Sequence, residues 1–478
     1  MSEFSQMLAG YIKEKDTNVY MLAKYCGYDR ANMYKLINGK RNAPDEAFVR
    51  KLSEYLHLHP AEEQELVDKY EISVLGHESY HRRKNIMNFL AEFTLVEDKD
   101  PAVASVDITT GFDLEGRQNV TLKNAYELET ALFWMITEEI KKVKGEIRMI
   151  VQPDVPSLNE ILRLCGRTKC NVTVEHLICL SDQPDRIENG KLYNLECLKK
   201  ILPLYNYNYD YQTWYYYGNT SYADKAFVMF PYMVLTSEYA CMLSADANSG
   251  YVTKDKELLK VLNEHFVAYQ KKSRRLIRCV GNIMEQFDVV GTAVSTKYTG
   301  YNLQMEPCIM SFLDEEIIEK YLHPLMPDRE YFVEQTIAYC KTLSSQNITY
   351  IFALDGLMHF LETGLIRELS PEIYTRLELD DRIKIVERIL HPEGEKKVKI
   401  LKHHLGRHET DVNILVTSEH GLLRVSMPSK NIFLDMILEE SGVLQSFYEF
   451  CENLGSVLFC NSEEVEEVVR KRIEELKK

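Results

Sequence analysis

The sequence predicts an all-α N-terminal domain of five helices followed by a large α/β body made of two duplicated α/β lobes. Three observations carry that expectation. Apolar residues recur at helical spacing up to about Tyr70, strand-like and helix-like segments alternate from Ala125 onward, and one strand-turn-strand pattern occurs at Val234–Tyr239 and again at Leu415–His420. A chain of 478 residues is too long for one core, because domains typically hold ~100–200 residues. The boundaries read from the sequence are 1–75 for the helical domain, 76–100 for a linker helix, 101–290 for the first lobe and 291–478 for the second.

In the first segment, Phe4, Met7, Leu8, Tyr11 and Ile12 fall on one face of a first helix, which the polar run Lys13–Thr17 ends. Asn18 is placed to cap a second helix with apolar positions at Tyr20 or Met21, Leu22 and Tyr25. Gly27 suits a left-handed closure of that helix, and Asp29 caps a third that Asn38-Gly39 stops. A fourth helix spans Asp45–Leu56 with Phe48, Leu52 and Tyr55 inward, and a fifth runs from Pro60 to Tyr70. His57 and His59, two residues apart, share no helix face and read as loop. Ser73–Lys84 reads as a hinge whose basic run, His81–Lys84, is either phosphate-facing or a solvated helix start.

The order of small Ala23, Gly27, capping Asp29, spaced Met33 and Leu36, then Asn38-Gly39-Lys40-Arg41 resembles the lambda-repressor and Cro-like helix-turn-helix family, also called XRE. The resemblance covers residues 4 to about 72; it departs at Val19, where a phosphate-touching glutamine is common. It implies that the third helix enters a major groove of double-stranded DNA. Arg30, Ala31, Asn32 and Lys35 then lie at base edges, and Tyr34, Lys40 and Arg41 at phosphates. It also implies a homodimer, since one such module supplies few base contacts. Charge agrees: the whole chain is −16, yet residues 1–59 hold nine Lys and Arg against seven Asp and Glu, so the acidity lies in the body.

The body begins with a helix at Ala125–Ile140, a strand at Ile147–Val151, a helix at Leu158–Leu164, a strand at Val172–Leu180 and a helix at Tyr193–Ile201. This alternation predicts a largely parallel sheet covered by helices, with ligands beyond strand ends near Gln152–Asp154 and Ser181–Asp182. Then comes YNYNYDYQTWYYYGNTSY, from Tyr205 to Tyr222. Alternating rings suggest a strand with one aromatic face, and Tyr207, Tyr209, Tyr211 and Trp214 are its candidate ligand residues for a small-molecule effector. The same rings would equally suit an edge strand packed on a helix.

Val234-Leu-Thr-Ser-Glu-Tyr239 and Leu415-Val-Thr-Ser-Glu-His420 each run into a second apolar strand, a polar loop and a helix with a late phenylalanine, Phe266 or Phe450. Strands at Thr349–Leu354 and Val398–Lys402, with helices between, give the second half a matching order. Such a duplicated arrangement is similar to degenerate phospholipase-D-like sensor domains. Neither half has the paired His-x-Lys of the enzymes, so no catalytic residue is carried over.

No P-loop, GxGxxG after a strand, GxSxG elbow or HExxH is present. His403, His404, His408, Glu409 and Asp411 match no zinc spacing and read as a polar loop turning at Gly406; Asp246–Gly250 lacks a calcium loop's sixth-position glycine and reads as a turn. Eleven cysteines without a CxxC argue for a reducing compartment, with Cys165 and Cys170 as ordinary thiols. MSEFSQML lacks a basic region followed by a long apolar run, and no apolar run reaches ~18 residues, so the expectation is a cytoplasmic protein without membrane contact or cofactor. The functional expectation is a sequence-specific DNA-binding transcriptional regulator with a C-terminal ligand-sensing or assembly region. Its rival is an enzyme or scaffold whose helix-turn-helix serves protein contacts.

Overall fold

Side-chain caps set where the N-terminal helices begin. The protein is seen in a computed structural model that describes residues 2–95, 114, 116–155, 157–183, 186–188, 191–218, 229–280, 285, 298–366, 369, 373–406, 410–427, 432–455 and 458–478. Two compact units are present, residues 1–85 and 86–478. In the first, α1 (Glu3–Glu14), α2 (Val19–Tyr25), α3 (Arg30–Ile37), α4 (Glu46–Tyr55) and α5 (Pro60–Leu75) follow one another. Asn18 accepts from the Tyr20 N–H at 2.9 Å, Asp29 from Asn32 at 2.9 Å and Asp45 from Phe48 at 2.7 Å. Each carboxylate or amide thereby satisfies a backbone donor that has no partner within the helix.

Phe4, Leu8, Leu22, Met33, Leu36, Val49, Leu52 and Leu66 are buried together, and the Ser5 hydroxyl donates to Leu36 O at 2.9 Å, tying α1 to α3. Two expectations change here. In α2, Tyr20, Met21 and Tyr25 are exposed rather than inward, because the wheel set by Leu22, Ala23 and Cys26 points them outward. The fifth helix also continues past Tyr70 to Leu75, where Gly76 at φ +81° ends it.

Helix α6 (His77–Glu92) starts at once, so Ser73–Lys84 is helix on both sides of one glycine rather than an open hinge. Its basic run is engaged: Arg83 pairs with Glu71 at 3.5 Å and Lys84 with Asp68 at 2.7 Å, while Arg82 is buried. From Ile86 onward α6 packs Phe89 and Leu90, and the residue after it, Phe93, into the core of the body. The polar stretch Glu97–Pro101 and the lobe boundary at 290/291 lie outside the described residues.

The body continues with β1 (Asn119–Leu122), α7 (Ala125–Ile140), β2 (Gly145–Ile150), α8 (Leu158–Gly166), β3 (Val172–Leu180), β4 (Ile187–Glu188), β5 (Lys191–Leu192), α9 (Tyr193–Ile201), a 3-10 turn (Leu202–Asn206) and β6 (Asp210–Tyr217). Next are β7 (Tyr232–Leu235), β8 (Ala240–Leu243), β9 (Gly250–Thr253), α10 (Lys256–Gln270) and β10 (Arg274–Val280). The second half holds β11 (Thr299–Leu303), a 3-10 turn (Met310–Phe312), α11 (Glu315–Tyr321), α12 (Arg329–Ser344), β12 (Asn347–Ala353), α13 (Leu354–Thr363), α14 (Leu379–Leu390) and β13 (Lys397–Leu401). It closes with β14 (Asp411–Thr417), β15 (Gly421–Met427), β16 (Ile432–Leu438), α15 (Ser441–Glu452) and α16 (Ser462–Leu476).

Apart from the β4/β5 pair, these strands form one 14-stranded mixed sheet, ordered β1-β9-β8-β7-β2-β3-β6-β10-β16-β15-β14-β11-β12-β13. Among the described residues, the parallel neighbours are β2/β3, β3/β6, β11/β12 and β12/β13; the others are antiparallel. This corrects the expectation of a largely parallel sheet. Helical crossovers permit parallel pairs, whereas short turns between β7, β8 and β9, and between β14 and β15, force antiparallel ones. The segments read as polar loops after each Thr-Ser-Glu turn in fact carry third strands, β9 and β16.

Burial covers both faces. One large cluster joins α7, α8, α9 and α15 to the sheet, a second lies among α11–α14 and α16, and a third lies beneath α10. In α13, a Cβ on Gly356 would stand 2.1 Å from Met305 O and 2.9 Å from Glu306 Cα, both backbone. Gly356→Ala is therefore expected to cost about 2–3 kcal/mol despite the better helix propensity of alanine. Gly10→Ala in α1, with nothing within 4 Å, should stabilise instead. Paired thermal melts check the opposite signs.

Candidate nucleic-acid interface

Two similar helix endings shape the exposed surface of α2 and α3. At Gly27, φ +63°, the N–H of Tyr28 donates to Ala23 O at 2.8 Å and that of Gly27 to Lys24 O at 3.2 Å. At Gly39, φ +70°, Lys40 N–H donates to Lys35 O at 2.8 Å and Gly39 N–H to Leu36 O at 3.0 Å. Both are closures that need a left-handed residue, which glycine adopts without a Cβ penalty. The first sets the angle between α2 and α3 across the small, buried Ala23. The second turns Lys40 and Arg41 back along α3.

Met33 and Leu36 anchor α3 in the core, each fully buried, so the rest of the helix faces outward. Arg30, Ala31, Tyr34, Lys35, Lys40 and Arg41 are exposed, and Asn32 is half-buried. Two contacts organise them. Arg41 Nη1 donates to Asn32 Oδ1 at 3.0 Å. The Arg30 guanidinium stands 5.7 Å from the Tyr34 ring centroid and 6.0 Å from that of Tyr20, within reach of cation–π attraction. A carbonyl oxygen has two lone pairs, so Asn32 can still accept a second hydrogen bond while its Nδ2 donates.

Between Asn18 and Arg41 the chain carries five cations, Lys24, Arg30, Lys35, Lys40 and Arg41, and one acid, Asp29, whose carboxylate is engaged as the α3 cap. Chemically, this surface presents donors and positive charge. Tyr20 was absent from the sequence-based set of surface residues. The signal was available: with Leu22, Ala23 and Cys26 inward, the wheel puts Tyr20 on the outer face beside Arg30.

The aromatic set in the body is arranged differently from the expectation. The strand begins at Asp210, and the chain before it is a 3-10 turn and bends, so Tyr205–Tyr209 do not alternate on a strand. Tyr209 and Tyr211 are buried, and burial pushes both phenols well above their ordinary pKa. Tyr207 stacks on Tyr209, its hydroxyl 3.3 Å from Arg163 Nε. Trp214 lies on the opposite face of β6, under α10, with the Arg275 guanidinium 5.0 Å over its ring. Odd and even positions of a strand face opposite ways, so Tyr207, Tyr209, Tyr211 and Trp214 are not brought into one ring-lined face. Tyr222 lies outside the described residues.

Two of the strand-end positions, Gln152 and Ser181, are likewise committed internally, while Asp154 and Asp182 are exposed. Gln152 meets the Tyr193 hydroxyl at 3.3 Å, and Ser181 N–H donates to Asn194 Oδ1 at 2.9 Å. Gly406 N–H donates to His404 Nδ1 at 3.0 Å, and His404 Nε2 is 3.7 Å from the buried Asp411. His408 and Glu409 lie outside the described residues. Among the described residues no group of three or more His, Cys, Asp or Glu side chains is placed to hold a metal ion, and no helix is long and apolar enough to cross a membrane. Asp246 Oδ1 accepts from the Ser244 hydroxyl at 2.6 Å and from Asn248 N–H at 3.2 Å, a turn as read.

No family model and no curated protein matches the chain. Among solved structures, it is similar to TrmBL2, an archaeal chromatin protein described as showing a novel mode of DNA binding, at 13% identity and a TM-score of 0.22 over 52% of this chain and 84% of that one. It is similar to polyphosphate kinase from Porphyromonas gingivalis at 10% identity and 0.22, over 75% and 56% of the two chains. Phosphatidylserine synthase from Haemophilus influenzae gives 10% and 0.21, over 74% and 93%. At these TM-scores the likenesses carry no functional argument.

Proposed function

We propose that the chain is a sequence-specific regulator of the XRE type, with α2 and α3 as its helix-turn-helix and double-stranded DNA as its partner. The observation that carries this reading is the outer face of α3, where Arg30 is held between two tyrosine rings and Arg41 is folded onto Asn32. In this reading Arg30, Ala31, Asn32 and Lys35 meet base edges, while Tyr34, Lys40 and Arg41 meet phosphates. Two copies would bind half-sites one helical turn apart as a homodimer.

We read the body as two related, non-catalytic lobes that sense a small-molecule effector or mediate assembly. Support for the duplication is the recurrence of pairing order: β9-β8-β7-β2-β3-β6 against β16-β15-β14-β11-β12-β13. The turns agree in detail. Thr236 N–H donates to Tyr239 O at 2.8 Å and Thr417 N–H to His420 O at 2.9 Å; each threonine hydroxyl accepts from the same partner's N–H, at 3.1 and 3.0 Å.

Gel-shift titration against genomic fragments with competitor DNA tests the reading. A preferred sequence is expected, with affinity falling steeply as salt rises, by ~0.9 log unit per log unit of salt for each phosphate neutralised. Lys40→Ala should weaken binding to all sequences alike and reduce that slope by about 1. Equal binding to every fragment, or a flat salt response, overturns the proposal. The protein-contact reading is favoured by the exposed Met21 and Tyr25 on α2; it predicts no DNA retention in the same assay.

A further inference from the structure

We propose that His77 and His81 form a two-imidazole chelate for a transition-metal dication on α6. The pair lies i,i+4 on one helix face. Its ring centroids are 4.3 Å apart, its planes cross at 52° and its Nε2 atoms are 3.2 Å apart. With metal–imidazole bonds of about 2.0–2.1 Å, nitrogens 3.2 Å apart subtend about 100° at a shared ion, between the octahedral and tetrahedral angles. The spacing of the two nitrogens therefore suits a shared ion. His77 is exposed and His81 half-buried, so the ion can enter from solvent.

The chemistry selects the ion. Neutral imidazole favours zinc, nickel and copper over magnesium or calcium. Without metal, one Nε2–H donates to the other ring's lone pair; with metal, both rings carry the proton on Nδ1 and offer Nε2. No third His, Cys, Asp or Glu completes the set among the described residues, so the remaining positions are taken by water. The neighbouring ammonium groups are each matched by a carboxylate: Lys69 by Glu3 at 2.6 Å, and Lys84 by Asp68 at 2.7 Å. The chelate would clamp the first two turns of α6, directly after Gly76 at φ +81°. Metal occupancy would thus stiffen this helix start, independently of whether α3 reads DNA.

Calorimetric titration of the untagged full chain with nickel and zinc chloride, together with copper EPR, tests this. One site per chain is expected, weakened at least 10-fold in both His77→Ala and His81→Ala and unchanged in His391→Ala. The copper spectrum should show two imidazole nitrogens in the parent chain and one or none in each variant. Circular dichroism of the surface variants checks that they fold. Absence of binding, or binding that survives both substitutions with the same nitrogen count, overturns the site.

Discussion

Replacing Arg30 by alanine is expected to lower affinity for the preferred operator by about 5- to 150-fold while changing binding to unrelated DNA far less. A bidentate guanidinium–guanine pair is worth about 1–3 kcal/mol of discrimination, which sets that range. Arg30 opens α3, exposed, and is held by the rings of Tyr20 and Tyr34. Holding it costs less ordering entropy on binding than a freely rotating arginine would. Tyr20→Ala and Tyr34→Ala should therefore each weaken operator binding by a smaller factor, about two- to fivefold, in line with cation–π contacts of ~0.5–1 kcal/mol. Lysine keeps the charge but not the fork, so Arg30→Lys should retain non-specific binding without restoring preference. Anisotropy titrations on operator and scrambled duplexes separate the two quantities. Equal losses on both duplexes would mean that Arg30 positions the protein and reads no base.

Where a structural feature depends on a few adjacent residues, it was legible in the sequence. The caps at Asn18 and Asp29, the left-handed Gly27, and the limits of α7, β3 and α9 all follow from spacing and capping chemistry within one element. The Thr-Ser-Glu recurrence was legible for the same reason. What escaped depends on partners distant in the chain. Strands β9 and β16 are short or carry polar residues, and only pairing with neighbours on both sides, β1 and β8 for β9 and β10 and β15 for β16, fixes them as strands. The rings of Tyr209 and Tyr211 look like a surface row until α8 is packed against Tyr209 and β3 is paired beside β6, where its His176 meets the Tyr211 hydroxyl. Gly166 shows how close that packing is: a Cβ there would stand 2.3 Å from the Tyr209 ring. For the interface, residue identity was legible but mutual contact was not, because the Arg41–Asn32 bond depends on the turn at Gly39.

His176 should make the body sensitive to acid. It is fully buried on β3, with Nδ1 2.7 Å from the Tyr211 hydroxyl and Nε2 2.9 Å from Val151 O. A carbonyl only accepts, so Nε2 carries the proton and Nδ1 accepts from the phenol. Burial holds the imidazole neutral, lowering its pKa from 6.5 to about 4. The unfolded chain thus binds a proton below pH 6.5 that the folded chain refuses until about pH 4. This contribution to stability is complete above pH 6.5 and is lost as pH falls through that window, about 3 kcal/mol in all. His176→Phe removes the titrating group and leaves the Tyr211 hydroxyl and Val151 O without it. Two buried polar groups deprived of partners predict a loss of roughly 2–4 kcal/mol at pH 7.5. Tyr211→Phe keeps the imidazole and removes one bond, so it should cost less at pH 7.5 and retain the acid slope. Urea unfolding of the three proteins at pH 7.5 and pH 5 distinguishes the terms. If His176→Phe loses as much stability on acidification as the parent, the slope belongs to other groups and the buried imidazole is not its source.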